Sequence, residues 1–254
     1  MLDDIKSFIS KKFGLDMNSF SMSFSINRIC ERMKRLKISD ERAYLEIIRN
    51  DRGELFELLD EITINETYFF REKQSFSILA ELAQNIKGRI NIFSIGCSSG
   101  EEVWSAAICL HSSKIRNFRI IGMDLSPSMI DKAREGKYTK TSFLSNPYEW
   151  KDYFDIDKNE FVVKKFLREY AHFIQGNILE DSLILGKNIA HFVFFRNVLL
   201  YFTNEAKIES ISKIYNLMKN GGYLFVSSSE NLLDFFPVFA INFFSSYVVW
   251  QKKA

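Results

Sequence analysis

Apolar residues recur at helical spacing through the first sixty positions. Ile29, Met33 and Leu36 share one helical face, and Leu55, Leu58 and Leu59 repeat the pattern, with no β-rich run between them. From about residue 89 the period changes. RINIFSI (89–95) is a short apolar run between glycines and reads as a buried strand. EEVWSAAICLHSS (101–113) reads as a helix, FRIIGMD (118–124) as a second buried strand, and SPSMIDKAREG (126–136) as a second helix. In that helix Ser126 suits the N-cap, Pro127 the first turn and Gly136 the C-cap. Further on, AHFIQGN (171–177) and HFVFFRN (191–197) have the pattern of strands. NEAKIESISKIYNLMKNGG (204–222) has that of a helix, with Ile208, Ile211, Tyr215 and Met218 on one face and Gly221 and Gly222 ending it. YLFVSSS (223–229) is a fifth strand, and FFSSYVVWQ (243–251) a last strand or hairpin arm. Alternation of helices with wholly apolar strands predicts a parallel sheet covered on both faces. The expected division is a helical region over 1–62 and an α/β domain over 63–254.

Composition narrows the class. A chain of 254 residues fits one large domain, alone or with a small appendage. Its hydrophobic share of 46% is ordinary, and 25 phenylalanines make a sizeable core easy to build. A net charge of +2 gives no global case for nucleic acid or a membrane surface. Cys30, Cys97 and Cys109 are odd in number and lack CxxC spacing, which argues against a disulfide framework or a zinc site and for a reducing compartment. The opening MLDDIKSFIS has no apolar h-region, and no run is long enough to span a bilayer. The expectation is a cytoplasmic protein without a resident metal or membrane insertion.

Candidate chemistry gathers at the predicted strand ends. SIGCSSGEE (94–102) joins the first strand to the first helix, and a glycine-rich turn there lets backbone approach a ligand. The spacing is G-x-x-x-G, and Glu101 and Glu102 open the helix. Two carboxylates already complement the helix dipole and would repel a pyrophosphate. A ligand with an ammonium and a positive centre fits better, which points to S-adenosylmethionine rather than a dinucleotide or ATP. Asp124, at the tip of the second strand, is placed to accept hydrogen bonds from ribose hydroxyls. Asn177 and Ile178 follow the third strand, where an amide and an apolar contact could hold adenine. HFVFFRNVLLYF (191–202) ends an apolar strand in Arg196 and Asn197, which are costly at a buried edge unless both find partners, and Tyr201 follows. Ahead of the sheet, INETYFFREK (64–73) sets Asn65, Thr67 and Arg71 around an aromatic knot. The histidines lie on or beside apolar segments and read as structural. In the helical region Arg28, Arg32 and Arg35 share one face beside the apolar stripe, with no aromatic interleaved for base stacking.

Jointly, NETYFFRE (65–72), GCSSGEE (96–102), GMDLSPSMIDKAREGKY (122–138), FFRNVLLYF (194–202) and GGYLFVSSSEN (221–231) resemble the CheR-type chemotaxis receptor methyltransferases, in order and spacing from about residue 61 to 231. The resemblance implies an α/β fold of the class I S-adenosylmethionine methyltransferases. That fold is Rossmann-like, a mostly parallel sheet with an antiparallel edge strand, here preceded by a small helical domain. It implies transfer of a methyl from S-adenosylmethionine to glutamate side chains of chemoreceptors. It further implies a cofactor site of Asn65, Thr67, Arg71, one or both of Glu101 and Glu102, Asp124, Asn177, Ile178, Arg196 and Asn197, with Arg71 and Tyr201 near the transferring methyl. Ile178 stands where the family usually has Leu. By resemblance the basic face of Arg28, Arg32 and Arg35 meets the acidic helical bundle of the receptor's cytoplasmic part, and the enzyme acts as a monomer. The family's small β-subdomain should fall within 139–170. There YFDIDKNEFVV (153–163) has no glycine in its turn, which counts against docking on a receptor's C-terminal pentapeptide. The rival readings are a methyltransferase of this fold with another substrate, and a non-catalytic S-adenosylmethionine-binding signalling protein.

Overall fold

A computed structural model describes residues 2–19, 22–180, 186–230, 232, 238–245 and 247–253; Asn231 and Ser246, inside two of the segments above, lie outside the described residues. Helices α1 (Asp3–Phe13), α2 (Ser25–Arg35), α3 (Glu41–Asn50) and α4 (Arg52–Ile62) come first, and α5 (Lys73–Ala83) leads into the sheet. Then follow β1 (Ile90–Ile95), α6 (Glu101–Ser112), β2 (Phe118–Asp124) and α7 (Pro127–Glu135). An excursion of β3 (Lys137–Thr139), β4 (Phe154–Asp157), β5 (Glu160–Val163) and a short α8 (Lys165–Arg168) precedes β6 (Ala171–Gln175) and β7 (Ala190–Phe194). The chain ends with α9 (Asn204–Leu217), β8 (Met218–Phe225), β9 (Phe239–Phe244) and β10 (Tyr247–Lys252).

The main sheet has the order β6-β2-β1-β7-β8-β10-β9. Five neighbouring strands run parallel, while β10 runs antiparallel to β8 and β9 to β10. The three excursion strands form a separate antiparallel sheet, β3-β5-β4, which starts two residues before the range expected for a subdomain. Local signals explain several helix starts. Asp40, Asp51, Ser126 and Thr203 each accept a backbone N–H from the first turn of the helix that follows. Pro127 and Gly136 bracket α7 as the sequence predicts.

Two apolar layers cover the sheet. One holds α5, α6 and the small sheet against Ile92, Phe192, Phe194 and Phe225. The other is continuous with the helical region, so Ile5, Ile9, Phe13 and Ile29 belong to the same cluster as Phe93, Ile95 and Val193. Burying each such side chain contributes about 1.5–3 kcal/mol, so the helical region is held to the sheet by a shared core. Among the described residues no helix is long and apolar enough to cross a membrane, and all three cysteines are free.

Several expectations change. The helix expected over 204–222 stops at Leu217, and Met218 pairs at once with Ala190 in the sheet. Ile208, assigned to its buried face, is half exposed, whereas Ile211 is buried as expected and Ile214 and Leu217 join it in the core. Gly221 and Gly222 are not a helix stop but part of an irregularity in β8, where the partners step from Ala190/Met218 to Phe192/Tyr223. Strand β8 therefore begins and ends earlier than the expected 223–229. Leu36 closes α2 as its C-cap and is exposed rather than in the apolar stripe. The turn in the small sheet is Lys158-Asn159, with Lys158 itself in the left-handed region at φ 52°.

Candidate active site

The parallel strands end together, and a cleft opens along their carboxyl edge, holding about 1030 Å³ of empty space with its mouth included. Its wall includes Asn65, Thr67, Arg71, Glu102, Asp124, Asn177, Ile178, Arg196, Asn197 and Tyr201. Glu101 is not in that wall, and Arg28, Arg32 and Arg35 lie away from it on the helical region.

The turn after β1 builds the floor. Gly96 (φ 78°) lets the chain reverse where a side chain would strike Val198, and the N–H groups of Gly96 and Cys97 donate to Met123 O at 2.8 and 3.0 Å. Ser98 N–H donates to Asp124 Oδ2 at 2.7 Å, and Ser126 N–H to Oδ1 at 3.0 Å. Burial pushes the Asp124 carboxyl up from its ordinary value, while those N–H groups oppose the shift. Each oxygen keeps a free lone pair for a hydroxyl donor. Cys97 beside it is buried, and burial with the neighbouring Asp124 charge pushes its thiol well up, so it is no thiolate nucleophile.

The two adjacent glutamates part company. Glu102 accepts from Ser94 Oγ and from Arg196 Nε, both at 2.7 Å, and faces the cleft. Glu101 turns away, 3% exposed, to accept from Ser99 Oγ at 2.7 Å, and burial raises its pKa.

Arg196 is the centre of a sealed network. It is 5% exposed and lies over the rings of Phe76 and Phe194. Its Nη1 donates to Arg71 O at 2.8 Å, Ser75 Oγ at 3.1 Å and Glu72 Oε2 at 3.3 Å. Glu72 also accepts from Ser227 Oγ, Ser228 N–H and Tyr247 O–H. Burial alone would raise the Glu72 pKa, but the Ser227 bond and the Arg196 charge more than reverse it. The Arg196 side chain, expected at the cofactor, lines the cleft and spends its Nε and Nη1 bonds on the scaffold that shapes it.

The segment after β7 is clamped by Glu230, which accepts from the N–H groups of Asn197 and Ser227 on one oxygen and Leu199 on the other, at 2.9–3.0 Å. That holds Asn197 in the left-handed region at φ 58°. Asn177 is likewise committed, accepting from Leu179 N–H at 3.0 Å and donating to Lys12 O at 3.4 Å. By contrast, among the described residues the side-chain polar groups of Thr67, Asn197 and Tyr201 have no hydrogen-bond partner. Arg71 makes one hydrogen bond, to Glu66 O at 2.9 Å, and its guanidinium lies over the Tyr68 ring. Burial raises the Tyr201 pKa, so its hydroxyl stays protonated.

Sequence reasoning missed the contribution of the helical region: Phe13, Leu15 and Met22 also line the cleft. Nothing local marks them, because they are ordinary apolar residues of a helix end and its loop. Glu72 and Glu230 carried a weak signal as lone acids beside apolar runs.

The basic face is also different in place. Arg32 is 13% exposed and bonds Glu54 through Nε and Nη2 at 2.9 and 2.7 Å and Glu61 through Nη1 at 2.7 Å. Arg35 pairs with Glu61, and Arg28 donates to the Glu61 carbonyl. Acids of α4 therefore offset much of the charge of α2, and of the three arginines Arg28 and Arg35 remain exposed.

The donor set suits S-adenosylmethionine. Asp124 can take a ribose diol, and Met123, Leu125 and Ile178 offer apolar wall for a base. The Arg196 charge sits between two carboxylates, leaving a local balance that favours an ammonium and a sulfonium. Fold and cleft together define a class I S-adenosylmethionine-dependent methyltransferase. The chain belongs to the CheR methyltransferase family: the model of the family's SAM-binding domain matches residues 65–247, and that of its all-alpha domain residues 1–63. The chain is 31% identical over 242 residues to chemotaxis protein methyltransferase 1 of Pseudomonas aeruginosa, covering 89% of this chain and 88% of that one. It is 27% identical to a chemotaxis protein methyltransferase of Campylobacter jejuni over 99% of this chain and 95% of that one. It is 28% identical to the probable biofilm formation methyltransferase WspC of P. aeruginosa, where the match covers 91% of this chain and spans 57% of the relative's length.

Proposed function

We propose that this methyltransferase forms glutamyl methyl esters on the cytoplasmic helical bundle of chemotaxis receptors. One observation carries the reading: among the described residues neither histidine nor lysine lines the cleft, its cysteine is protonated, and Asp124 and Glu102 are held by other groups. Such a site is poorly equipped to deprotonate an amine or hydroxyl. It suits a nucleophile that arrives ionised, as a glutamate does at neutral pH. S-adenosylmethionine supplies an electrophilic methyl, and as the carboxylate C–O bond forms the C–S bond breaks, with no proton to move. The chain's own part is alignment and a dry cleft. Arg71, with its guanidinium only partly engaged, orients the incoming carboxylate, and the Tyr201 hydroxyl donates beside it. Relatives named as chemotaxis protein methyltransferases support the receptor as substrate. On this reading Arg28 and Arg35 make the first contact with the acidic receptor, and Arg32 holds α2 against α4 behind them.

Incubation with methyl-labelled S-adenosylmethionine and receptor-rich membranes tests this. Label released by mild base is expected on the receptor band. Calorimetric cofactor binding without base-labile label would sink the enzyme reading. Label on a small molecule or RNA would sink the substrate.

A further inference from the structure

The helical region reaches the segment that carries Tyr201. Helix α1 ends at Gly14, and the residues after it run antiparallel to residues 201–203. Thr203 N–H donates to Gly14 O at 2.9 Å, Asp16 N–H donates to Tyr201 O at 2.7 Å, and Leu15 bridges Phe202. This short ladder is anchored behind: Gly14 N–H caps α1 on Ser10 O at 2.8 Å, and Ser10 Oγ donates to Leu15 O at 2.6 Å. Gly14 sits at φ 73°, and a Cβ there would lie 2.7 Å from Ala206 Cβ and strike Leu179.

We propose that residues 14–16 are a positioning strap for methyl transfer, fixing Tyr201 over the cleft through its main chain. The proposal rests on the reading of Tyr201 as a residue at the methyl-donor end. What takes it beyond packing is an asymmetry at that residue. Among the described residues the Tyr201 hydroxyl has no hydrogen-bond partner, whereas the backbone on either side of Phe202 is bonded to the strap. The ring is therefore placed from its backbone. The same strap puts Leu15 into the cleft wall, so the helical region takes part in the reaction step as well as in any recruitment of substrate.

The test uses the full chain with Ser10→Ala and Gly14→Ala, each alone and combined with Tyr201→Phe. In the receptor-labelling assay at saturating cofactor, kcat should fall about threefold for Ser10→Ala and about tenfold or more for Gly14→Ala. Neither change should cost much further in the Tyr201→Phe background, because both act on kcat by placing that hydroxyl. Losses that multiply instead would overturn the strap. Should Gly14→Ala fail to fold by circular dichroism, the Ser10→Ala pair decides. A Tyr201→Phe protein with unaltered kcat, or a chain with no turnover to measure, overturns the reading of Tyr201 and leaves the strap to a second readout. Hydrogen exchange of the Asp16 and Thr203 amides should slow by about tenfold when S-adenosylhomocysteine is added, as the cleft closes on it. Exchange that ignores the ligand would overturn the strap on its own.

Discussion

Two arginines face each other across one peptide carbonyl and have opposite surroundings. Arg196 is enclosed, bonded to two carboxylates, a serine and the carbonyl of Arg71. Among the described residues the Arg71 side chain itself stands at the open end with a single hydrogen bond and an aromatic ring beneath it. The first commits its Nε and Nη1 to the protein; the second spends a single side-chain bond on it. A polar network held by several partners fixes shape, whereas a cation with few partners is available for chemistry. Both arginines sit in motifs that looked alike as sequence, each an arginine beside phenylalanines. Only the surroundings separate scaffold from reacting group.

The comparison can be broken at four points. The largest effect should come from Arg196→Met, which leaves the part-buried Glu72 and Glu102 without their partner. Denaturant unfolding should show a loss of about 3–5 kcal/mol, and a loss under about 1 kcal/mol would mean the network is not sealed. Arg71→Ala should do the reverse. Turnover should fall by a factor worth about 1.5–3 kcal/mol, roughly tenfold to a hundredfold, while unfolding free energy moves by less than about 0.5 kcal/mol. Comparable damage to stability would erase the contrast. Next, Asp124→Ala should remove ribose hydrogen bonds worth about 1–3 kcal/mol. Calorimetry should then read a cofactor dissociation constant raised roughly tenfold to a hundredfold, and an unchanged constant would refute the ribose placement.

The smallest effect belongs to Glu101. Its folded pKa is raised by burial, so its contribution to stability is full below the unfolded value of about 4.3 and is lost as pH rises through the folded value. At neutral pH the buried charge opposes folding. Glu101→Gln should flatten the stability profile above about pH 4.3, with a gain in stability at pH 7. A wild-type profile already flat there would contradict the burial of an ionising group.

The sheet was legible because its strands are wholly apolar and its turns carry strong signals; Ser126, Pro127 and Gly136 fixed α7 almost to the residue. The end of α9 was not. Its glycines looked like a stop, yet Met218 had already joined the sheet, a pairing set by Ala190 across the ladder and invisible in local pattern. At the candidate site, residues on strand tips and in 64–73 stood out by residue type, and the cleft wall includes most of them. Side-chain direction could not: neighbouring Glu101 and Glu102 are equivalent in sequence, and the helix rotation sends one toward Ser99 and the other toward Arg196. Arg32 was misleading for the same reason, because its counter-charges lie on another helix.

The strap also has a consequence for how the protein is made. Leu15 leaves the ribosome early, and its partner Phe202 is synthesised much later. At about 5–20 residues per second the gap lasts roughly ten to forty seconds. Through that interval α2, α3 and α4 can pack on one another, but the end of α1 has nothing to pair with. The cleft cannot form before residues through Phe202 have emerged, so the cofactor can bind only after that point.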